Sequence, residues 1–134
     1  MKMFDVQGVE IQATCQKVFE FVREPGNLPR WAQAFTCAED GRARLSTPAG
    51  AVEVALVVTD NAAAGTVDWR LTFPDGGVGV AQSRVTETTR GTCLYSFVLH
   101  APPVALEQLE GALEAQSVTL RSELATLKSL VESR

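Results

Sequence analysis

TCLYSFVLHAPPVALEQLEGALEAQSVTLRSELATLKSLV, residues 92–131, changes its period at a pair of prolines. Before them, Cys93, Tyr95, Phe97 and Leu99 alternate along the heavier face of a strand. After them, Leu106, Leu109, Leu113, Leu120, Leu124, Leu127 and Val131 recur at helical spacing, which predicts one long helix from about Val104 nearly to residue 134. Pro102-Pro103 supplies the break, because proline ends a sheet ladder yet is tolerated in a helix's first turn. A lone amphipathic helix must bury its stripe, and the surface able to receive it is the inner face of a curved sheet. The residues before 92 should therefore supply that sheet.

Their punctuation says that they do. Turn signals recur at Asp40-Gly41, Pro48-Ala49-Gly50, Gly65, Asp75-Gly76-Gly77 and Arg90-Gly91, with strand-length segments between them. In TVDWRLTF, Val67, Trp69, Leu71 and Phe73 face one way and Thr66, Asp68, Arg70 and Thr72 the other. RARLST sets Ala43 and Leu45 against Arg42 and Arg44. In AVEVALVV, Val52, Val54, Leu56 and Val58 take the inner face and leave Glu53 outside. Arg84 reads as outward between Ser83 and Val85. This is an antiparallel meander with one wet face. At the other end of the chain, Val9, Ile11 and Ala13 alternate as a first strand, and Thr14 can cap a helix whose stripe is Cys15, Val18, Phe19 and Val22. Glu24-Pro25 closes that helix, and a second short one is expected around Arg30–Ala34, with Pro29 in its first turn. NAAAG, residues 61–65, reads as a small-residue loop.

The chain's 134 residues fit one domain with one core, and 46% hydrophobic with 21% charged residues is an ordinary globular balance. A net charge of −4 gives no basic footprint, so no nucleic-acid partner is expected. No apolar run reaches the roughly 20 residues of a membrane span. MKMFDVQGVEIQ lacks the apolar core of a signal peptide. Cys15, Cys37 and Cys93 form no CxxC motif or disulfide framework; they read as buried free thiols, and the expected location is cytoplasmic.

Taken together, Val9–Ala13, VFEFVREPGNLPRW (residues 18–31), SRVTETTRGTCLYSFVLHAPP (residues 83–103) and the C-terminal helix resemble the START-like, or SRPBCC, superfamily. The resemblance is closest to its polyketide cyclase/dehydrase and lipid-transport-like group and spans essentially residues 1–134 as one domain. It implies an α+β helix-grip fold: a seven-stranded antiparallel sheet wrapped around the long helix, two short helices after the first strand, and a hydrophobic cavity between sheet and helix. Members bind or transform lipids, sterols and aromatic polyketides, and some are chaperone regulators. The implied partner is a small hydrophobic molecule such as a lipid, a fatty acid or an aromatic polyketide; a homodimer is allowed for. In that layout Trp31 and Phe35 project into the cavity's end wall, Trp31 either as a plug of the core or as a ligand contact. Leu28 and Trp31 would form the lip of a gate in REPGNLPRW, where Pro25 and Pro29 stiffen the flanks of Gly26-Asn27.

The expected ligand-binding set is Trp31, Phe35, Val54, Leu56, Trp69, Leu71, Tyr95, Phe97, Leu113, Gln116, Ser117 and Leu120. Gln116 and Ser117 interrupt the helical stripe about 50° from its centre. They either meet a ligand's oxygen or form a boundary pair bonded to backbone or water, and Glu110 lies nearer the stripe's edge. Tyr95 offers an inward hydroxyl. His100, the single histidine, falls on the outward register at a strand's end, so no His cluster can hold a metal. PDGGVGV, residues 74–80, lacks the strand-to-helix context and the lysine of a phosphate loop and reads as a hairpin turn. No carboxylate pair, Ser/His/Asp set or Cys/His pair assembles from inward positions, so no catalytic residue, metal or cofactor is assigned. A noncatalytic binder is expected ahead of a cyclase or dehydratase, and a protein-interaction module comes last.

Overall fold

The computed structural model describes residues 3–47, 50–101 and 106–133, with residues 106–111 described as backbone only. Strand β1 (Phe4–Ile11) is followed by helix α1 (Cys15–Arg23), a 3-10 turn (Pro25–Asn27) and the one-turn helix α2 (Leu28–Trp31). Six strands come next: β2 (Phe35–Glu39), β3 (Arg42–Thr47), β4 (Gly50–Asn61), β5 (Thr66–Thr72), β6 (Val78–Glu87) and β7 (Cys93–His100). The long helix α3 (Leu106–Glu132) ends the fold. The Pro102-Pro103 and Pro48-Ala49 breaks lie outside the described residues, as do the side chains of Leu106, Leu109 and Glu110.

All seven strands form one antiparallel sheet in the order β1-β7-β6-β5-β4-β3-β2. Every link but one is a sequential hairpin. The exception is β1, which pairs with β7 from Phe4↔His100 to Ile11↔Cys93. Leu120, Leu124, Leu127 and Val131 of α3 join one core cluster with Val54, Leu56, Val67, Trp69, Tyr95 and Phe97 of the sheet's inner face. This is the helix-grip arrangement. Polar ties fix the helix against β1: Gln7 Nε2 donates to Ser117 O at 2.8 Å, and Lys128 Nζ donates to Glu10 O at 2.9 Å.

Several boundaries differ from the sequence-based ones. The first strand runs over Phe4–Ile11 rather than 9–13, because Phe4 and Val6 lie on the outer face, 54% and 56% exposed, and disguise the alternation. The second helix covers Leu28–Trp31 rather than Arg30–Ala34. Its start follows from Pro29, which supplies a helical φ where no N–H is needed; its end is set at Ala32, already extended so that Phe35 can pair with Leu45. Thr14 does cap α1, its hydroxyl accepting Lys17 N–H at 3.2 Å, and Glu24 ends that helix in an extended conformation. The cysteines are not uniformly buried: Cys93 is, Cys15 is partly so, and Cys37 is exposed.

Two local devices shape the inner face. At the β2–β3 hairpin, Asp40 and Gly41 both have positive φ, 53° and 77°, which gives the turn a twist matching its strands. Between Phe35 and Cys37 the β2–β3 register shifts. Strict alternation from buried Ala38 would turn Thr36 inward; the extra residue lets Phe35 share that face while Thr36 is exposed.

Candidate ligand-binding site

A cavity of about 250 Å³ lies between α2, the inner faces of β5, β6 and β7, and the middle of α3. The strands explain why it exists. Leu71 pairs with Gly79, Trp69 with Ala81 and Val67 with Ser83, so each large inward residue of β5 faces a small one on β6. Helix α3 cannot follow the sheet into that trough, and space remains.

The wall is largely aromatic. Trp31 is its hub, with ring centroids 6.3 Å from Trp69, 6.4 Å from Tyr95 and 6.4 Å from Phe97, all edge-on. Trp69 stacks on Phe97 at 5.7 Å. Trp31 is held there by its short helix: Ala32 N donates to Leu28 O at 2.7 Å, and Asn27 Nδ2 donates to Phe21 O at 3.0 Å. Phe35, Leu45, Phe73, Leu99 and Leu120 complete most of the apolar lining. Three buried donors, Trp31 Nε1, Trp69 Nε1 and the Tyr95 hydroxyl, have no hydrogen-bond partner among the described residues.

Polar side chains on the cavity are Gln116 and Glu123 from α3 and His100 at the end of β7. Glu123 Oε2 accepts the backbone N–H of Gln33 at 2.6 Å, which ties α3 to the link between α2 and β2. Burial pushes its carboxyl pKa up, with the Gln33 N–H pulling the other way. His100 is exposed, and its Nε2 shares a 2.8 Å hydrogen bond with Gln82.

A family model described as polyketide cyclase / dehydrase and lipid transport matches residues 3–132. The chain belongs to that family. Solved structures share the fold over nearly its whole length. A START superfamily protein from Mycobacterium smegmatis has a TM-score of 0.75 at 12% identity, covering 98% of this chain and 99% of that one. The di-domain ARO/CYC BexL from the BE-7585A biosynthetic pathway has a TM-score of 0.71 at 21% identity, covering 98% of this chain and 47% of its own. The Aha1 dimer from Colwellia psychrerythraea has a TM-score of 0.67 at 15% identity, covering 98% and 97%. At these identities the likeness is one of fold. A search of curated proteins gave no match.

Within this cyclase/dehydrase–lipid transport fold, seven of the expected site residues line the cavity: Trp31, Phe35, Trp69, Leu71, Phe97, Gln116 and Leu120. Leu28, the expected lip, joins them. Five lie elsewhere. Val54, Leu56 and Leu113 are buried at 3–4% exposure but do not reach the cavity. Tyr95 is fully buried beside Trp31, so its phenol has no contact with solvent. Burial pushes that pKa up; Ser83 lies near enough to oppose the shift, but its hydroxyl donates to Val67 O at 2.7 Å instead. Ser117 is separated from Gln116 by the helical step of about 100°, and its carbonyl faces Gln7 of β1. Gln116 therefore lines the cavity and Ser117 does not, so the expected amide–hydroxyl pair is not presented there together.

The sequence-based set omits Glu123. Its signal was present: Gln116, Leu120 and Glu123 are spaced i, i+4, i+7 and share one face of α3. A glutamate flanked by Ser122 and Leu124 simply reads as the solvated edge of the stripe.

Proposed function

We propose that this family member holds a small, largely apolar molecule in the cavity between α2, the sheet and α3 without transforming it. The observation that carries this reading is the composition of the wall, aromatic and aliphatic with Gln116, Glu123 and His100 as its polar side chains. Ligand sites have this character, apolar surface for affinity and a few polar groups for orientation. The family's description, which includes lipid transport, supports it. A cytoplasmic setting is part of the proposal, supported by three free thiols. A homodimer is also part of it, supported by one structural neighbour described as a dimer.

Native mass spectrometry of freshly purified protein, followed by titration with naphthalene, tests the binding reading. One ligand per chain is the expected result, with affinity at least about fivefold lower in Gly79→Val. Gly79 is the variant of choice because its Cβ would meet Phe73 and Leu71 only at ordinary contact distances, 3.6 and 4.0 Å, while adding bulk to the trough. No adduct and no saturable binding would end the proposal.

A second reading, a cyclase or dehydratase, is favoured by one feature: Glu123 places a half-buried carboxyl with a raised pKa on the cavity. Such a group suits general acid–base work, whereas Tyr95 has no contact with solvent. The structural neighbour BexL is described as an ARO/CYC protein. Incubation with a poly-β-ketone thioester, followed by absorbance of the aromatic product, separates the readings. Acceleration lost by at least about 100-fold in Glu123→Gln supports an enzyme; a rate equal to that of buffer removes it.

A further inference from the structure

We propose that the cavity sorts ligands by charge, accepting neutral or cationic apolar molecules and rejecting anions, and that Glu123 is the residue that sets this preference. The inference rests on the binding reading above and narrows its ligand class. Two observations carry it. Among the described residues that line the cavity, Glu123 is the single formally charged side chain, and neither lysine nor arginine is present to receive a carboxylate or phosphate. Glu123 is also tied to the α2–β2 link, its Oε2 accepting the Gln33 N–H at 2.6 Å, which holds the carboxylate at the cavity.

An anionic ligand with its apolar part against Trp31, Trp69 and Phe97 brings its charge into the same small space as this carboxylate. Either both groups stay ionised and repel in a partly dehydrated site, or one takes up a proton, which costs more the higher the pH. A neutral ketone or ester meets neither penalty. An ammonium group gains a counter-ion. The other titratable group on the cavity, His100, is exposed and turned to Gln82, while Gln33, Ser122 and Gln116 are the neutral polar residues around Glu123. Ionised fatty acids therefore fall outside the ligand class, and neutral carbonyl-bearing or amine-bearing apolar molecules fall inside it.

The test is equilibrium dialysis at pH 8 with four molecules built on one ring system: naphthalene, 2-acetylnaphthalene, 2-naphthoate and 2-naphthylmethylammonium. At this pH the naphthoate carboxyl is fully ionised. Comparing the two ions removes the trivial preference of any apolar pocket for a neutral molecule. The cation should bind at least about fivefold more tightly than the anion, and 2-acetylnaphthalene more tightly than either. In Glu123→Gln, whose amide oxygen can still accept the Gln33 N–H, the cation-to-anion ratio should fall to about one. Equal binding of the two ions to the unaltered protein, or a ratio unmoved by Glu123→Gln, overturns the charge selection while leaving the cavity a binding site. Failure of naphthalene and 2-acetylnaphthalene to bind overturns both proposals together.

Discussion

Trp31 is the residue on which the cavity's wall depends. It is 3% exposed, touches Trp69, Tyr95 and Phe97 edge-on, and lines the cavity on its free side. The two roles offered for it from sequence, core plug and ligand contact, are compatible in this geometry. Trp31→Ala should cost about 3–5 kcal/mol, as expected when a buried indole is deleted and its space cannot collapse. Chemical denaturation measures the loss; a cost below about 1 kcal/mol would mean that the aromatic cluster relaxes freely around the gap. The position of Trp31 was legible because two prolines and a short helix leave few places for a large aromatic to go. Glu123 was not. An acid at the edge of an amphipathic stripe looks solvated until the fold brings the α2–β2 link over it, and no local pattern announces that approach.

At the scale of elements, alternation and punctuation located β3, β4, β5 and β7, and the Thr14 cap placed the start of α1. What periodicity could not show was β6. Its inward positions, Gly79, Ala81, Ser83 and Val85, are mostly small, while Val78 is 37% exposed, so a hydrophobicity count points the wrong way. The cavity is the consequence of that inversion. The same pairing creates a tight spot at the β4–β5 turn, where Gly65 has a φ of 73°. A Cβ there would stand 2.8 Å from Val85 O, the carbonyl of the residue whose own N–H donates to Gly65 O at 2.9 Å. A side chain would face both a left-handed backbone and a clash with main chain that cannot rotate away. Gly65→Ala should therefore destabilise by roughly 2 kcal/mol or more, well beyond the ordinary glycine-to-alanine effect. A thermal melt unchanged from the parent would show that the β4–β5 and β5–β6 hairpins shift together at little cost.

For the whole molecule, charge placement divides into two opposing sets. At one end, Glu10 accepts hydrogen bonds from Arg90 and Thr92, and Glu132 is paired with Lys128 and the Gln12 N–H; these partners hold both carboxyls below the usual range. On the cavity, burial holds Glu123 above it. The signs follow from linkage. Glu10 and Glu132 contribute stability at pH values above the ordinary carboxylate pKa, and lose it as acid protonates them in the fold. Glu123 does the reverse. Below its unfolded pKa of about 4.3 both states carry the proton and there is no penalty. As pH rises through the higher folded value, the unfolded chain has already ionised freely, so folding becomes less favourable by this group's share. Glu123→Gln removes that share while keeping an acceptor for the Gln33 N–H. The melting temperature of the variant minus that of the parent should thus climb from its value near pH 4 and level off above the folded pKa. Differential scanning calorimetry between pH 4 and 8 measures that difference directly, with the Glu10 and Glu132 contributions cancelling. A flat difference would show that Glu123 ionises in the fold as easily as in water, and that the cavity's one described carboxyl is no more buried in effect than a surface acid.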